Sequence, residues 1–120
     1  MMKYEIEFYS KVPGEEPAKD FILQLTPKMK AKILKILDIL EMNGPLTRLP
    51  YSEHLDDGIF EIRAKQGSDI TRVLYFFFIG KKIILTNGFV KKTQKTPKRE
   101  IELAKRYRQD YEGRIAHDQL

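Results

Sequence analysis

From Lys3 to Tyr9 apolar and polar residues alternate, with Tyr4, Ile6 and Phe8 on one side and Lys3, Glu5, Glu7 and Tyr9 on the other. That period of two predicts a half-buried strand. Pro13-Gly14 breaks it, and Glu15 to Leu25 then reads as a short helix with early acids and an apolar stripe of Phe21, Ile22 and Leu25. Thr26-Pro27 is a second helix start, a capping hydroxyl followed by proline at the first helical position. From there to Met42 the residues Met29, Ile33, Ile36, Leu37 and Leu40 recur at spacings of three and four, while Lys28, Lys32 and Lys35 lie largely off that stripe. Asn43-Gly44-Pro45 ends the helix. The two helices are expected as an antiparallel hairpin laid on a sheet.

The second half of the chain changes period. The stretch "LTRLPYSEHLDDG" reads as a loop or an irregular edge strand, and Asp57-Gly58 signals a turn. Ile59 to Lys65 alternates, with Phe60, Ile62 and Ala64 facing one way and Glu61, Arg63 and Lys65 the other. Ile70 to Ile79 is apolar on both faces, the mark of a central strand. Gly80-Lys81 turns the chain into a last strand, Lys82 to Val90. Thr96-Pro97 opens a final helix carrying Ile101, Ala104, Tyr107 or Arg108, Tyr111 and Ile115 at helical spacing. The fold class is therefore α+β: an antiparallel twisted sheet of four or five strands packed against an N-terminal helical hairpin and a C-terminal helix.

Length makes this one domain, residues 1–120, able to bury one core without metal or disulfide. The absence of cysteine fits a reducing compartment and excludes thiol catalysis, zinc–thiolate sites and iron–sulfur clusters. No segment approaches the ~20 apolar residues that span a bilayer, and the N-terminus lacks the pattern of a signal peptide, so a cytoplasmic protein with no membrane partner is expected. Charge sharpens the picture. The net charge is +5, and residues 88–100 hold Lys91, Lys92, Lys95, Lys98 and Arg99 against Glu100 alone. A strip of this kind suits a polyanion such as nucleic acid, although solvated surface has the same composition.

Two arginines fall on the predicted strands. Arg63 lies on a polar face, where a solvated position is the simple alternative. Arg72 sits on the central strand among Leu74, Phe76 and Phe78, where a guanidinium is expensive to bury without a partner. Its structural alternative is an ion pair with Glu61 or Asp69. The turns bring the two strands together, so both arginines are expected on one face, with Lys91 and Lys92 reaching the same region from the last strand. Such a cationic cup suits metal-free RNA cleavage, in which a 2′-hydroxyl attacks the adjacent phosphorus and cations stabilise the extra charge of the transition state. Phe89 is a candidate for stacking on a base, with a core role as its alternative. No metal site and no cofactor are expected: Glu53, His54, Asp56 and Asp57 resemble a polar turn, and no phosphate-binding glycine loop is present.

The segments "LDDGIFEIR", "TRVLYFFF" and "IILTNGFVKKTQKTPKREIELAKRY" resemble the RelE/HigB toxin superfamily, in particular its phage-derived HigB-like branch. The resemblance implies a microbial RNase (RelE-like) fold. It implies the toxin of a type II toxin–antitoxin system, cutting mRNA on the ribosome to leave a 2′,3′-cyclic phosphate. It also implies neutralisation by a helix-turn-helix, HigA-like antitoxin in a hetero-oligomer. Arg72 resembles the family's phosphate-gripping arginine, Arg63 a basic position on the preceding strand, and Lys91 and Lys92 the basic residues after the last strand. Lys95 is expected on flanking RNA, while Lys98 and Arg99 read as helix surface. The chain departs from some relatives in having no histidine or tyrosine on a short C-terminal tail, which leaves the general acid and base open. ParE-like relatives share the fold and act on gyrase without cutting RNA, and that non-catalytic role is the alternative.

Overall fold

The computed structural model describes residues 3–91 and 95–118. Its elements run β1 (Glu5–Phe8), α1 (Pro17–Leu23), α2 (Pro27–Asn43), a 3-10 turn (Gly44–Leu46), β2 (Ser52–Asp56), β3 (Ile59–Gln66), β4 (Asp69–Phe78), β5 (Lys82–Lys91) and α3 (Lys98–Asp118). They build one five-stranded sheet in the order β1-β5-β4-β3-β2. The expected α+β architecture is present, with one correction to the sheet. β2 to β5 form an antiparallel meander, but β1 joins β5 in parallel, so the sheet is mixed. A parallel neighbour requires a long crossover, and here the connection from β1 to β5 carries both helices and the meander. The stretch read as a loop or edge strand is β2, whose register against β3 shifts between His54 and Asp56.

Local signals account for most boundaries. Thr26 caps α2 by accepting a hydrogen bond from the Met29 amide, and Gly44 takes φ 50 at its C-terminal end. A side chain at Gly44 would meet the Tyr4 ring, so glycine is required twice over, by backbone and by space. α1 is shorter than its apolar stripe suggests, beginning at Pro17, where the missing amide costs nothing.

Helices cover both sheet faces. Ile33, Leu40, Ile62, Val73, Tyr75, Ile83 and Leu85 form the core beneath α1 and α2. Ile59, Leu74, Phe76, Ile84, Ala104 and Tyr111 form a second, smaller core beneath α3. β4 alternates between them, and this explains its continuous apolar run. Each fully buried leucine or isoleucine contributes about 1.5–3 kcal/mol. The aromatic residues of α3 pack as expected: Tyr107 stacks on Tyr9 at 4.5 Å, and Tyr111 meets Phe76 and Phe78 edge-on.

One irregularity positions the site. The β4–β5 register shifts after Tyr75↔Leu85, and the next pair is Leu74↔Asn87. Thr86 is the extra residue, and its hydroxyl donates to the Leu74 carbonyl. A bulge of one residue reverses which face every later side chain takes. Leu85 faces α1 and α2, whereas Asn87 and Phe89 stand opposite Leu74 and Arg72 on the α3 face.

Candidate functional site

β3 and β4 pair so that Arg63 stands directly opposite Arg72, and Arg72 directly opposite Phe89 of β5. The three residues therefore form one row across three strands on the α3 face. The turn at Gly67 (φ 62) sets this register. One step inward Glu61 stands opposite Glu53. Two like-charged pairs directly across a sheet would each destabilise it. They interleave instead. Arg63 Nη1 donates to Glu61 Oε2 at 2.9 Å and to Glu53 Oε2 at 2.5 Å, and Arg72 Nε lies 3.4 Å from Glu61 Oε2.

Burial grades this cluster from floor to rim. The Glu61 side chain is 1% exposed and that of Arg72 6%, against 29% for Arg63 and 46% for Glu53. Glu61 also accepts from the hydroxyl of Thr96, which ties the approach to α3 onto β3. Arg72 Nη1 donates to the Thr71 carbonyl at 3.2 Å, but its buried Nε makes no hydrogen bond. Its approach to Glu61 is a charge contact outside hydrogen-bond geometry. Burial pulls the Arg72 guanidinium below the ordinary arginine pKa, Glu61 opposes that shift, and Arg63 adds to it. Beside them Asn87 Nδ2 donates to Glu100 Oε1 at 3.1 Å, while Asn87 Oδ1 is buried without a hydrogen bond.

Of the residues singled out by sequence, Arg63, Arg72 and Phe89 share the row. Phe89 is half-buried and packs against the core beneath α3. Lys91 closes β5, paired with Ile70, which itself pairs with Lys65 in the next row outward. Lys92 lies outside the described residues. Lys95 is exposed between β5 and α3. Arg99 is 84% exposed on the first turn of α3, as expected of helix surface. His54 accepts from the Gly58 amide at the β2–β3 turn, and His117 sits in the last turn of α3. The ion pair considered for Arg72 exists, with Glu61 rather than Asp69 as its partner. Sequence reasoning missed Glu53 and Thr96 as parts of this cluster. Glu61 and Arg63, two apart on one strand, carried a usable signal; Glu53 and Thr96 arrive through tertiary packing and carried none.

Two arginines and two glutamates cancel in formal charge. Further positive charge lies beyond them, in a cleft of about 720 Å³ between α2 and the outer end of β3. Lys32, Lys35 and Lys65 line it together with Arg63 and Arg72, over a floor that includes Ile36, Ile39 and Ile70. The Lys32 ammonium donates to the Lys65 carbonyl. Chemically, the ensemble offers two guanidinium groups oriented by carboxylates together with the ammonium groups of three lysines, which is suited to a chain of phosphates.

A sequence model of the family described as "Phage derived protein Gp49-like (DUF891)" matches residues 20–109. The match covers three quarters of the chain, from α1 into α3, and includes every residue of the cluster and the cleft. No curated protein matches the chain.

Proposed function

Since the chain belongs to the Gp49-like family of phage-derived proteins, a family associated with the toxins of toxin–antitoxin systems, we propose that it is such a toxin and that it cleaves mRNA on the ribosome. The observation carrying this reading is the face-to-face placement of Arg63 and Arg72 on adjacent strands, at the head of a cleft lined by lysines. An RNA backbone lying there presents a phosphate to two guanidinium groups. The 2′-oxygen attacks phosphorus, the bond to the 5′-oxygen breaks, and a 2′,3′-cyclic phosphate and a 5′-hydroxyl result. The arginines stabilise the added negative charge as the phosphorus becomes pentavalent. Guanidinium groups stay protonated, so they hold the phosphate while other groups move the protons. Lys91 ends β5 two residues beyond Phe89, and in this reading it and Lys92, the next residue of the chain, supply positive charge to the leaving strand. A helix-turn-helix antitoxin covering this face would neutralise the toxin in a hetero-oligomer.

Glu53 and Glu61 favour a second reading on the same scaffold. They balance both arginines, as a purely structural network would, and a non-catalytic toxin acting on gyrase needs no free phosphate grip. Primer extension on translated mRNA after induction separates the two. Cuts within codons at the ribosomal A site support cleavage, whereas intact transcripts with a DNA-damage response reject it in favour of the gyrase reading.

A further inference from the structure

Tyr51 belongs to the same cleft, and nothing in the proposed chemistry uses it. Its side chain is 41% exposed and it follows the exposed Leu49 and Pro50. An aromatic side chain on a mobile loop would signify little, but this one is anchored on both sides. The Arg48 carbonyl accepts from the amides of Tyr51 and Ser52, and the Arg48 side chain turns back onto the Pro45 carbonyl at 2.7 Å. The Tyr51 carbonyl accepts from the Arg63 amide, which continues the β2–β3 ladder. Ser52 is fastened to the Tyr75 hydroxyl inside the core. The ring thus stands on a fixed backbone beside Arg63, in a lining that it shares with Lys32, Lys35 and Lys65. Among the described residues no carboxylate lines the cleft, although Glu53 and Glu61 pair with its arginines.

We propose that this cleft is a single-strand track: one nucleotide next to the scissile phosphate stacks its base on Tyr51, and the following phosphates run along Lys65, Lys32 and Lys35. The assignment rests on the reading of Arg63 and Arg72 as the phosphate grip and adds to it the direction in which the RNA leaves. A base stacked on an aromatic ring with the backbone tracked by cations is the general mode of sequence-tolerant single-strand binding. The cleft suits it better than it suits a folded protein surface. Its lysines sit on flexible stems that can follow a polyanion, and its tyrosine is partly exposed. The hydrogen bond from Lys32 to the Lys65 carbonyl is exposed, so releasing it to a phosphate carries little penalty.

The test is fluorescence anisotropy of a short, uniformly 2′-O-methylated RNA oligonucleotide, which cannot be cleaved, over a salt series. The K32Q/K35Q double variant changes two exposed residues and should lower the slope of log affinity against log salt by about 1.4, two phosphate contacts on a single strand. Tyr51→Ala should weaken binding about tenfold to a hundredfold, and Tyr51→Phe should restore it, because stacking needs only the ring. An unchanged slope in the double variant, no rescue by phenylalanine, or no binding by the wild-type chain overturns the track. Equal binding of a polyglutamate peptide also overturns it, by assigning the cleft to an acidic protein segment. The oligonucleotide is never cut, so these results are independent of the outcome for cleavage: a chain that cuts mRNA but shows an unchanged slope keeps the proposed function and loses only the track.

Discussion

The carboxylate of Glu61, sealed beneath the sheet surface, lies between the two arginines, with Arg72 Nε 3.4 Å from its Oε2. Its neighbour Arg63 approaches the same oxygen, so a single buried anion sets the positions of both cations. Removing it leaves two guanidinium groups facing each other across β3 and β4. Glu61→Ala is therefore expected to cost about 3–5 kcal/mol, the usual consequence of stranding buried charge. Glu61→Gln retains an oxygen for Thr96 and should cost less. Urea denaturation measures both, and a loss below about 1 kcal/mol for the alanine variant would show that Glu61 does not organise the cluster.

Glu53 acts differently because it is exposed. Its carboxylate accepts from Arg63 Nη1 and would compete with a phosphate for that guanidinium. Surface ion pairs contribute little to stability. Glu53→Gln should accordingly leave the urea midpoint nearly unchanged while tightening RNA binding and making its salt dependence steeper. Weaker RNA binding in that variant would mean that Glu53 supports the site rather than occupying it.

The contact between α1 and the sheet tests the fold itself. A methyl group at Gly88 would come 2.3 Å from the Phe21 ring, which is held in the packed core. Gly88→Ala should destabilise by about 1–3 kcal/mol through overpacking. Thermal melting reads this directly, and an unshifted melting temperature would mean that the Phe21–β5 contact is not as close as described.

At the alkaline end the tyrosines set the limit. Burial, reinforced by a hydrogen bond to Asp110, raises Tyr9 to about 12, and burial raises Tyr75 to about 12. Tyr111 is also raised, chiefly by burial. A group whose folded pKa exceeds its unfolded value of 10 stabilises the fold fully below that value and loses its contribution as pH rises through the folded pKa. Stability should thus fall between about pH 10 and 12. Followed at 295 nm, ionisation of Tyr9 and Tyr75 should come only near pH 12 and coincide with loss of the far-UV signal. A single wave near pH 10 with the fold intact would contradict this.

The sequence made some of this legible and concealed the rest for physical reasons. Alternation in β3 placed Glu61 and Arg63 on one face, and the apolar run of β4 marked Arg72 as an expensive burial; both hold in the structure. The parallel pairing of β1 was hidden, because alternation reports a half-buried strand but not the direction of its neighbour. So was the bulge at Thr86, since a one-residue insertion reverses facing without changing composition. Without the bulge Phe89 would face α1, away from Arg72. Thr96 joins the cluster from 35 residues away, and Glu53 from the preceding strand across an irregular register, and no local period encodes either meeting. The cleft is invisible for the same reason, because Lys32, Lys35 and Tyr51 read in sequence only as helix surface and loop.

The central claim is that Arg63 and Arg72 together stabilise an RNA phosphate while it is being cut. Single-turnover cleavage of mRNA in a reconstituted translation reaction addresses it, comparing the wild-type chain with Arg72→Ala and Arg63→Ala after circular dichroism has established that each is folded. The account predicts a fall of about 10²–10³ in rate for Arg72→Ala and a smaller fall for the more exposed Arg63→Ala. A folded Arg72→Ala that cuts at the wild-type rate would contradict it.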